Sequence, residues 1–480
     1  MYEIMKKFEF TGETKTINLL FGTATLHRIR AVAKFGFVEI GELGGWIEKE
    51  ENLSHEENAW VYGDAKVYGN AKVYGNAEVR DKAEVCGNAI VYGNAKVGEN
   101  AKVQDKAEVC GNAIVYGNAK VGEDAEVYDN AEVCGNVIVF GNAKVRGKAE
   151  VCGNAIVCDN AKVGENAEVY GKALIYGDAK VYGNAKVYGN AKVGEDAEVY
   201  DKAEVYDKAE VYGNAQIYGN AIVRANAKVY GKAEVCGKAG VCGKAEIRDD
   251  AKVYDKAIVC EDANVYGKAQ IYGDAKVWYD AKVYGNAEVC GKAEVRGKAE
   301  IRDDANVYGN ANVYGNAKIY GNAKVYDNAK VWDDAKVYDN AEVCGNAKVW
   351  EDAKVYVNAK VYSNAEVYSN AKVYGNAKVY GNAEVCGKAE VCGKAEVFST
   401  RHVLVIGTIG SQDDFATFYR DKDNEITVKC GYFLDKIDKF LEKVTETHGD
   451  SNYALVCRAA VEAARLQIDL SNEVTKDADE

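Results

Sequence analysis

Residues 59–398 carry a hydrophobic and polar pattern that repeats every six residues without an insertion or deletion. A typical copy is Val-Tyr-Gly-Asn-Ala-Lys at 67–72; with the aliphatic residue as position one, Val or Ile recurs from Val61 to Val397 in 57 repeats. This period fits neither strict alternation nor a helix of 3.6 residues per turn. With positions one and five pointing inward, it predicts short strands joined by corners, three to each triangular coil.

With three repeats per coil, the pattern predicts about 19 stacked coils. Because neighbouring strands lie about 4.8 Å apart, the whole stack is expected to be about 90 Å long. Position six, usually Lys or Glu, points outward, and positions two to four form the corner, where Gly and Asn accept positive φ most easily. The chain contains no proline, as expected for a ladder that uses nearly every backbone N–H. We therefore expect an all-β solenoid, a triangular parallel β-helix.

The repeat resembles the hexapeptide-repeat left-handed β-helix, whose usual phrase is aliphatic, Gly, any, Asn, small, any. Residues 97–102, Val-Gly-Glu-Asn-Ala-Lys, match that phrase throughout. The left hand is implied by the resemblance and would be an exception to the right-handed crossover rule. The chain departs from the family at position two, where Tyr, Cys, Arg or Trp mostly replaces Gly.

The segments outside the repeat predict two end modules. Residues 1–58 alternate like half-buried strands at 7–10 and 25–30, with glycines as breaks, and form a β-rich N-terminal cap in which Trp46 plugs the core. Such a cap covers the bare strand edges of the first coil. Residues 399–480 form a small α+β module, with strands at 402–406, 415–420 and 426–428 and helices at 433–444 and 453–468.

The layout resembles, from end to end, a group of phage and prophage-associated hexapeptide-repeat proteins. The residues that carry this resemblance are Gly44-Gly45-Trp46-Ile47-Glu48, Asn58-Ala59-Trp60-Val61-Tyr62-Gly63, Gly407-Thr408-Ile409-Gly410-Ser411, Cys430-Gly431-Tyr432-Phe433 and Thr447-His448-Gly449. The group implies no reaction for this chain.

The net charge of −14 divides into −3 for residues 1–58, −5 for 59–398 and −6 for 399–480. Duplex DNA about 90 Å long carries about 50 negative charges, so charge mimicry of nucleic acid along the repeat is disfavoured, although a local acidic cluster remains an alternative. No stretch is long and apolar enough for a membrane span, and no leader is evident, so we expect no membrane partner and a cytoplasmic protein.

Of the 14 cysteines, 12 occupy position two of a repeat, where they alternate with tyrosine. Two pairs, Cys134 with Cys152 and Cys242 with Cys260, are predicted to lie one coil apart at one corner, close enough for a disulfide. A reduced state is expected in a cytosolic protein. Tyrosine at the same position predicts stacked columns along the corners, with a platform for sugars or bases as the alternative.

Catalytic chemistry is not evident in the repeat. Hexapeptide acyltransferases need a general base, usually His, and an extruded loop, and zinc enzymes of the carbonic-anhydrase kind need three convergent His. The repeat has neither a loop nor a histidine, because His27, His55, His402 and His448 all lie outside it. We therefore expect no enzyme, no cofactor, no metal and no small-molecule substrate.

The resulting functional prediction is a non-enzymatic binding or scaffold protein, phage- or prophage-encoded, that engages a protein partner and inhibits a host factor, with an acyltransferase as the alternative. Self-association or partner binding is assigned to the C-terminal module, because that module holds the non-repetitive information. An apolar patch on three successive coils is a second candidate surface. The candidate partner-binding residues are Ile138, Ile156, Leu174, Phe433, Leu434, Ile437, Phe440, Leu441 and Val444.

Overall fold

The computed structural model of the chain describes residues 6–19 and 22–471. The chain divides into two compact units, Met1–Gly243 and Lys244–Glu480. Among the described residues, each repeat from Trp60–Val61 to Glu396–Val397 contributes one two-residue strand, formed by position six and the following position one. Each unit therefore contains parallel β-solenoid coils, as the pattern predicts.

Backbone hydrogen bonds explain why a strand of two residues is enough. Lys72 aligns in parallel with Ile90 in the next coil, 18 residues along the chain. The N–H of Lys72 donates to the carbonyl of Ala89 (3.0 Å), and the N–H of Asn76 donates to that of Gly93 (2.7 Å). Donation thus continues through the corner, and stacking rather than strand length stabilises each coil.

The interior contains the residues that the pattern places there. Val67 and Ala71, at positions one and five, are both fully buried, and the same holds for their equivalents in both units. Lys72, at position six, is exposed. Large and small side chains therefore alternate in the narrow core of the coils.

The backbone conformation of the corner differs from the prediction at one position of the repeat. Position three takes positive φ, as at Gly69 (φ 68°), and Asp often replaces Gly there, as at Asp81 (φ 59°). The asparagines at position four do not, so the prediction of positive φ for Asn is wrong. Their side chains form ladders instead: the amide of Asn76 donates to that of Asn94 (3.1 Å).

Three strands precede the first coil. β1 (Phe8–Leu19) and β2 (Gly22–Ala31) pair antiparallel with a bulge between Phe10 and Thr14, so Gly12 lies inside β1 and does not end it. β3 (Leu43–Ile47) pairs antiparallel with β2 and parallel with the coil strand Lys66–Val67. The N-terminal strands therefore continue one face of the solenoid.

The predicted role of Trp46 is wrong. Trp46 aligns with Lys66, an outward position, and its ring packs beside Ala24 and Leu26 on the outer face. The more deeply buried indole is Trp60, which is fully buried and makes an edge contact with Phe35 (5.3 Å).

The C-terminal module consists of a four-stranded antiparallel sheet and two helices. Its elements are β4 (Val403–Ile409), β5 (Asp414–Arg420), β6 (Ile426–Cys430), β7 (Phe433–Lys436), α1 (Ile437–His448) and α2 (Asn452–Gln467). The predicted helix at 433–444 is wrong at its start, because Phe433–Lys436 pairs with β6 as an edge strand. The extended Lys436 (φ −62°, ψ 154°) precedes the first turn of α1.

Side chains of β5 close the last coil. The N–H of Glu390, which in earlier coils would donate to the next coil, donates to the hydroxyl of Thr417 (2.9 Å). The hydroxyl of Tyr419 donates to the carbonyl of Cys392 (3.1 Å), and both side chains are buried. The module thereby satisfies polar groups that the end of a ladder leaves unpaired.

One cysteine pair departs from the expected reduced state. Cys134 and Cys152 form a disulfide, with Cα atoms 4.6 Å apart at one corner of successive coils. Stacked repeats place position-two side chains within bonding distance, which is the physical reason for the correction. Cys242 belongs to the first unit and Cys260 to the second.

Candidate partner-binding site

The apolar stripe predicted in the C-terminal module is mostly core. Ile437, Phe440 and Val444 are buried against β5, β6 and α2, and the ring of Phe440 contacts that of Phe418 edge-on (6.2 Å). Phe433 and Leu441 are half-buried beside the same cluster. These side chains hold the module together and offer little free surface.

Leu434 is the predicted residue of the module that remains exposed, at 45 %. It lies on the edge strand β7, two residues after the fully exposed Tyr432. The outer face of α1, by contrast, is charged: Lys439 pairs with Glu442 (2.7 Å), and a second pair follows one turn later. α1 therefore faces solvent with ion pairs.

α2 has the opposite arrangement of large and small residues. Its buried positions are mostly small: Ala454, Cys457, Ala460, Val461 and Ala464. Small residues allow the helix to lie close to the sheet and to α1.

Larger apolar residues of α2 point away from the module. Leu455 is 54 % exposed, Val456 48 % and Leu466 83 %. The exposed Ala459 and Ala463 lie between them at helical spacing. These five residues, here called the α2 outer face, form an apolar stripe about three turns long with no partner among the described residues.

A polar cleft of about 500 Å³ lies where the coils meet the module. Its lining includes five lysines, Lys336, Lys354, Lys372, Lys388 and Lys429, interleaved with acidic residues. Lys336 and Lys354 align on successive coils. Neither has a salt bridge among the described residues, whereas Lys372 is paired. With four carboxylates beside the five lysines, the cleft is strongly polar, and its unpaired lysines can donate hydrogen bonds to an acidic group.

Lys372 shares its carboxylate partner, Glu390, with Lys429. Glu390 lies 2.7 Å from Lys372 and 3.7 Å from Lys429. Burial of this carboxyl acts to raise its pKa, but the two lysines outweigh burial and lower the pKa below its usual value. Glu390 therefore stays ionised and neutralises one end of the cleft.

A smaller pocket of about 140 Å³ in the module contains Cys430, Cys457 and His448. A nucleophilic role for Cys430 would require its thiolate form. Burial, together with the carboxylate of Asp414, raises the pKa of the Cys430 thiol to about 11. A protonated thiol is a poor nucleophile, so the environment does not favour that role.

The histidines outside the repeat have structural partners at both ends. His55 accepts a hydrogen bond from the N–H of Lys7 (3.1 Å) and contacts Glu50 (2.8 Å). His402 is buried and accepts a hydrogen bond from the N–H of Phe398 (3.3 Å). Each ring therefore has a structural role in its own unit, outside the repeat.

The second candidate surface lies in the first unit. Ile138 aligns with Ile156, and Ile156 aligns with Leu174, on three successive coils of one face. All three side chains are half-buried. Neighbouring coils carry lysine at this position, including Lys120 and Lys192. The patch is therefore short and bounded by charge, and its partner role stays a prediction.

Tyrosine columns occupy the corners in both units. Tyr170, Tyr188 and Tyr206 stack with ring centroids 5.0 and 4.7 Å apart. In the second unit Arg302 interrupts a column and lies over the ring of Tyr320 at 4.4 Å. Stacking one coil apart shields the corner backbone, and the predicted tyrosine columns are confirmed.

Comparison with known protein families gives a match to one short segment of the chain. Residues 215–231 match the family model described as YdcK Beta solenoid repeat. The match lies in the first unit and supports a repeat β-solenoid. No curated protein matches the chain. In the part of the chain that the structure describes, no helix is long and apolar enough to cross a membrane.

Proposed function

We propose that this chain is a non-enzymatic binding protein, a β-solenoid scaffold that engages a protein partner through its C-terminal module. The observation that carries the proposal is the α2 outer face, where the large residues Leu455, Val456 and Leu466 are exposed, whereas most buried positions of the helix are small. Exposed apolar stripes of this kind mark protein contacts. The lysine cleft beside the module adds a place for an acidic group of the partner.

A second part of the proposal concerns which genome encodes the protein and in which compartment it acts. The resemblance of both end modules to phage-associated hexapeptide-repeat proteins supports a phage- or prophage-encoded protein that acts in the host cytoplasm and occupies a host factor. The same resemblance supports a left-handed coil. A partner of this kind would be an endogenous host protein.

The absence of histidine from the repeat sequence supports a non-enzymatic role. Acyl transfer on this fold needs a general base beside an acyl-donor pocket. Position two of the repeat is occupied mainly by Tyr and Cys. These residues form corner columns, which suit packing.

Site-specific photo-crosslinking tests the proposal directly. A photoreactive phenylalanine analogue replaces Leu466 on the α2 outer face, and in a matched control it replaces Lys439 on α1, which is also exposed. We expect one host protein to crosslink at position 466 and not at 439. Crosslinking of the chain to itself at 466 would show self-association instead, and equal labelling from both positions would contradict a defined site.

A further inference from the structure

Two thiols and a carboxylate converge at one corner of the first unit. The donor atoms of Glu132, Cys134 and Cys152 all lie within 4.8 Å of one another, and all three residues are half-buried. Glu132 lies on the two-residue strand Glu132–Val133, and Cys134 follows that strand directly, so the two side chains flank the inward Val133. Cys152 joins them from the next coil, because the strand directly before Cys152 aligns with the strand directly before Cys134.

The electrostatics of this corner favour a cation. Glu132 aligns directly with Glu150, and like charges in register destabilise a sheet. The next residue of the column, Glu168, is neutralised by Lys186 (3.0 Å). Among the described residues, neither Glu132 nor Glu150 has a salt bridge. The corner therefore combines two sulfur donors with uncompensated carboxylate charge.

A neighbouring tyrosine orients the carboxylate. The hydroxyl of Tyr116 donates to Oε1 of Glu132 (2.5 Å), which leaves Oε2 free. A hydrogen-bonded carboxylate ligand is typical of metal sites.

We propose that, when Cys134 and Cys152 are reduced, these two thiolates and Glu132 bind a Zn²⁺ ion. Zinc prefers thiolate sulfur at about 2.3 Å and carboxylate oxygen at about 2.0–2.2 Å in tetrahedral geometry. Two such sulfurs lie about 3.7 Å apart, a separation that side-chain rotation between strands about 4.8 Å apart provides. Glu150 or water completes the fourth position.

The disulfide and the metal exclude each other. A dithiol reductant transfers two electrons and two protons to the Cys134–Cys152 bond, giving two thiols and the oxidised reductant. Zinc binding then releases one proton from each thiol, and both sulfurs donate to the ion. Oxidation removes both sulfur ligands at once, so metal content follows the redox state of this pair. The absence of histidine from the repeat, on which the expectation of no metal rests, does not bear on a thiolate site.

The test titrates Zn²⁺ into the full-length chain against a chromophoric chelator, after reduction with a phosphine under nitrogen. We expect reduced wild type to bind one equivalent more than a Cys134→Ser, Cys152→Ser variant, and oxidised wild type to lose that equivalent. Glu132→Gln weakens the site, and Tyr116→Phe weakens it about tenfold. With Co²⁺, the same equivalent gives a thiolate charge-transfer band.

The matched control uses Cys242 and Cys260, which repeat the spacing but have Gly240 and Ile258 where the first pair has its glutamates. Cys242→Ser with Cys260→Ser should leave the extra equivalent in place. Equal stoichiometry in wild type and the Cys134→Ser, Cys152→Ser variant overturns the site, and an unchanged affinity in Glu132→Gln overturns the carboxylate ligand. Melting curves of each variant confirm that the coils remain folded, and Glu132→Gln tests the site without touching either thiol.

Discussion

Adjacent residues of one repeat face opposite environments. Val163 is fully buried, whereas Lys162 is exposed on the outer face, in register with Lys144 and Lys180. A charged side chain is therefore tolerated at position six, but one residue later, at position one, it would destabilise the fold. This alternation is the part of the structure that the sequence determines most completely, because position one is never polar.

We expect Val163→Asp to unfold part of the first unit and Lys162→Glu to have little effect. Burying an unpaired carboxylate costs several kcal/mol, whereas a glutamate at 162 gains two lysine neighbours. Thermal melting followed by circular dichroism measures both. Superimposable melting curves for the two variants would disprove the inward assignment of position one.

Position three offers a stabilising substitution. Val357 has φ +64°, a conformation that β-branched residues rarely adopt, and its side chain is 37 % exposed. Val357→Gly should raise the free energy of unfolding by about 1 kcal/mol, because released strain exceeds the entropic cost of glycine. Chemical denaturation measures the difference.

The reverse change at the equivalent position of the next coil is its control. A Cβ at Gly375 would lie 3.0 Å from the N atom of Gly393. Gly375→Val should therefore destabilise the second unit. If both substitutions shift stability in the same direction, strain at position three is not the cause.

At the scale of elements, the repeats were predictable and the end modules only in part. Each repeat strand pairs with strands of nearly the same sequence in the neighbouring coils. The local hydrophobic pattern and the packing between coils therefore predict the same register. β7 was missed because Phe433 and Leu434 continue the apolar spacing of α1, and that spacing alone does not locate the extended Lys436 at the helix start. In α2 both faces carry apolar residues, so which face packs inward depends on the sheet.

The module's attachment to the last coil should depend on pH through His402. Burial, and secondarily Arg420, lowers the pKa of this ring to about 4 from a usual 6.5. Below about pH 6.5 the His402 ring takes up a proton in the unfolded state, whereas in the folded state it stays neutral until the pH approaches 4. Stability present above pH 6.5 is therefore lost as pH falls toward 4, by at most about 3 kcal/mol.

Denaturant unfolding of the full-length chain between pH 7 and 4 measures this effect. His402→Gln keeps a hydrogen-bond acceptor but does not titrate, so its stability should change less over the same interval. Equal slopes for wild type and His402→Gln would assign the pH dependence to other groups.

At the scale of the molecule, the surface that we propose for partner binding lies in the C-terminal module. The sequence pointed to α1 as the partner surface, because its stripe of Ile437, Phe440 and Val444 is the more regular. Burial of that stripe in the module's own core leaves α2 as the exposed apolar face. The sequence placed Cys134 beside Cys152, 18 positions apart, but it expected them to be reduced and gave no indication that Glu132 lies beside them.

The affinity of the crosslinked partner for the full-length chain tests the central claim most directly. Isothermal titration calorimetry compares wild type with a Leu455→Glu, Leu466→Glu variant, and with a control variant, Lys439→Glu with Lys443→Glu, on the outer face of α1. Loss of two apolar anchors should cost about 2 kcal/mol or more, which is about 30-fold in Kd, while the α1 control binds like wild type. Equal affinity of the α2 variant and wild type would contradict partner binding through the C-terminal module's α2 outer face.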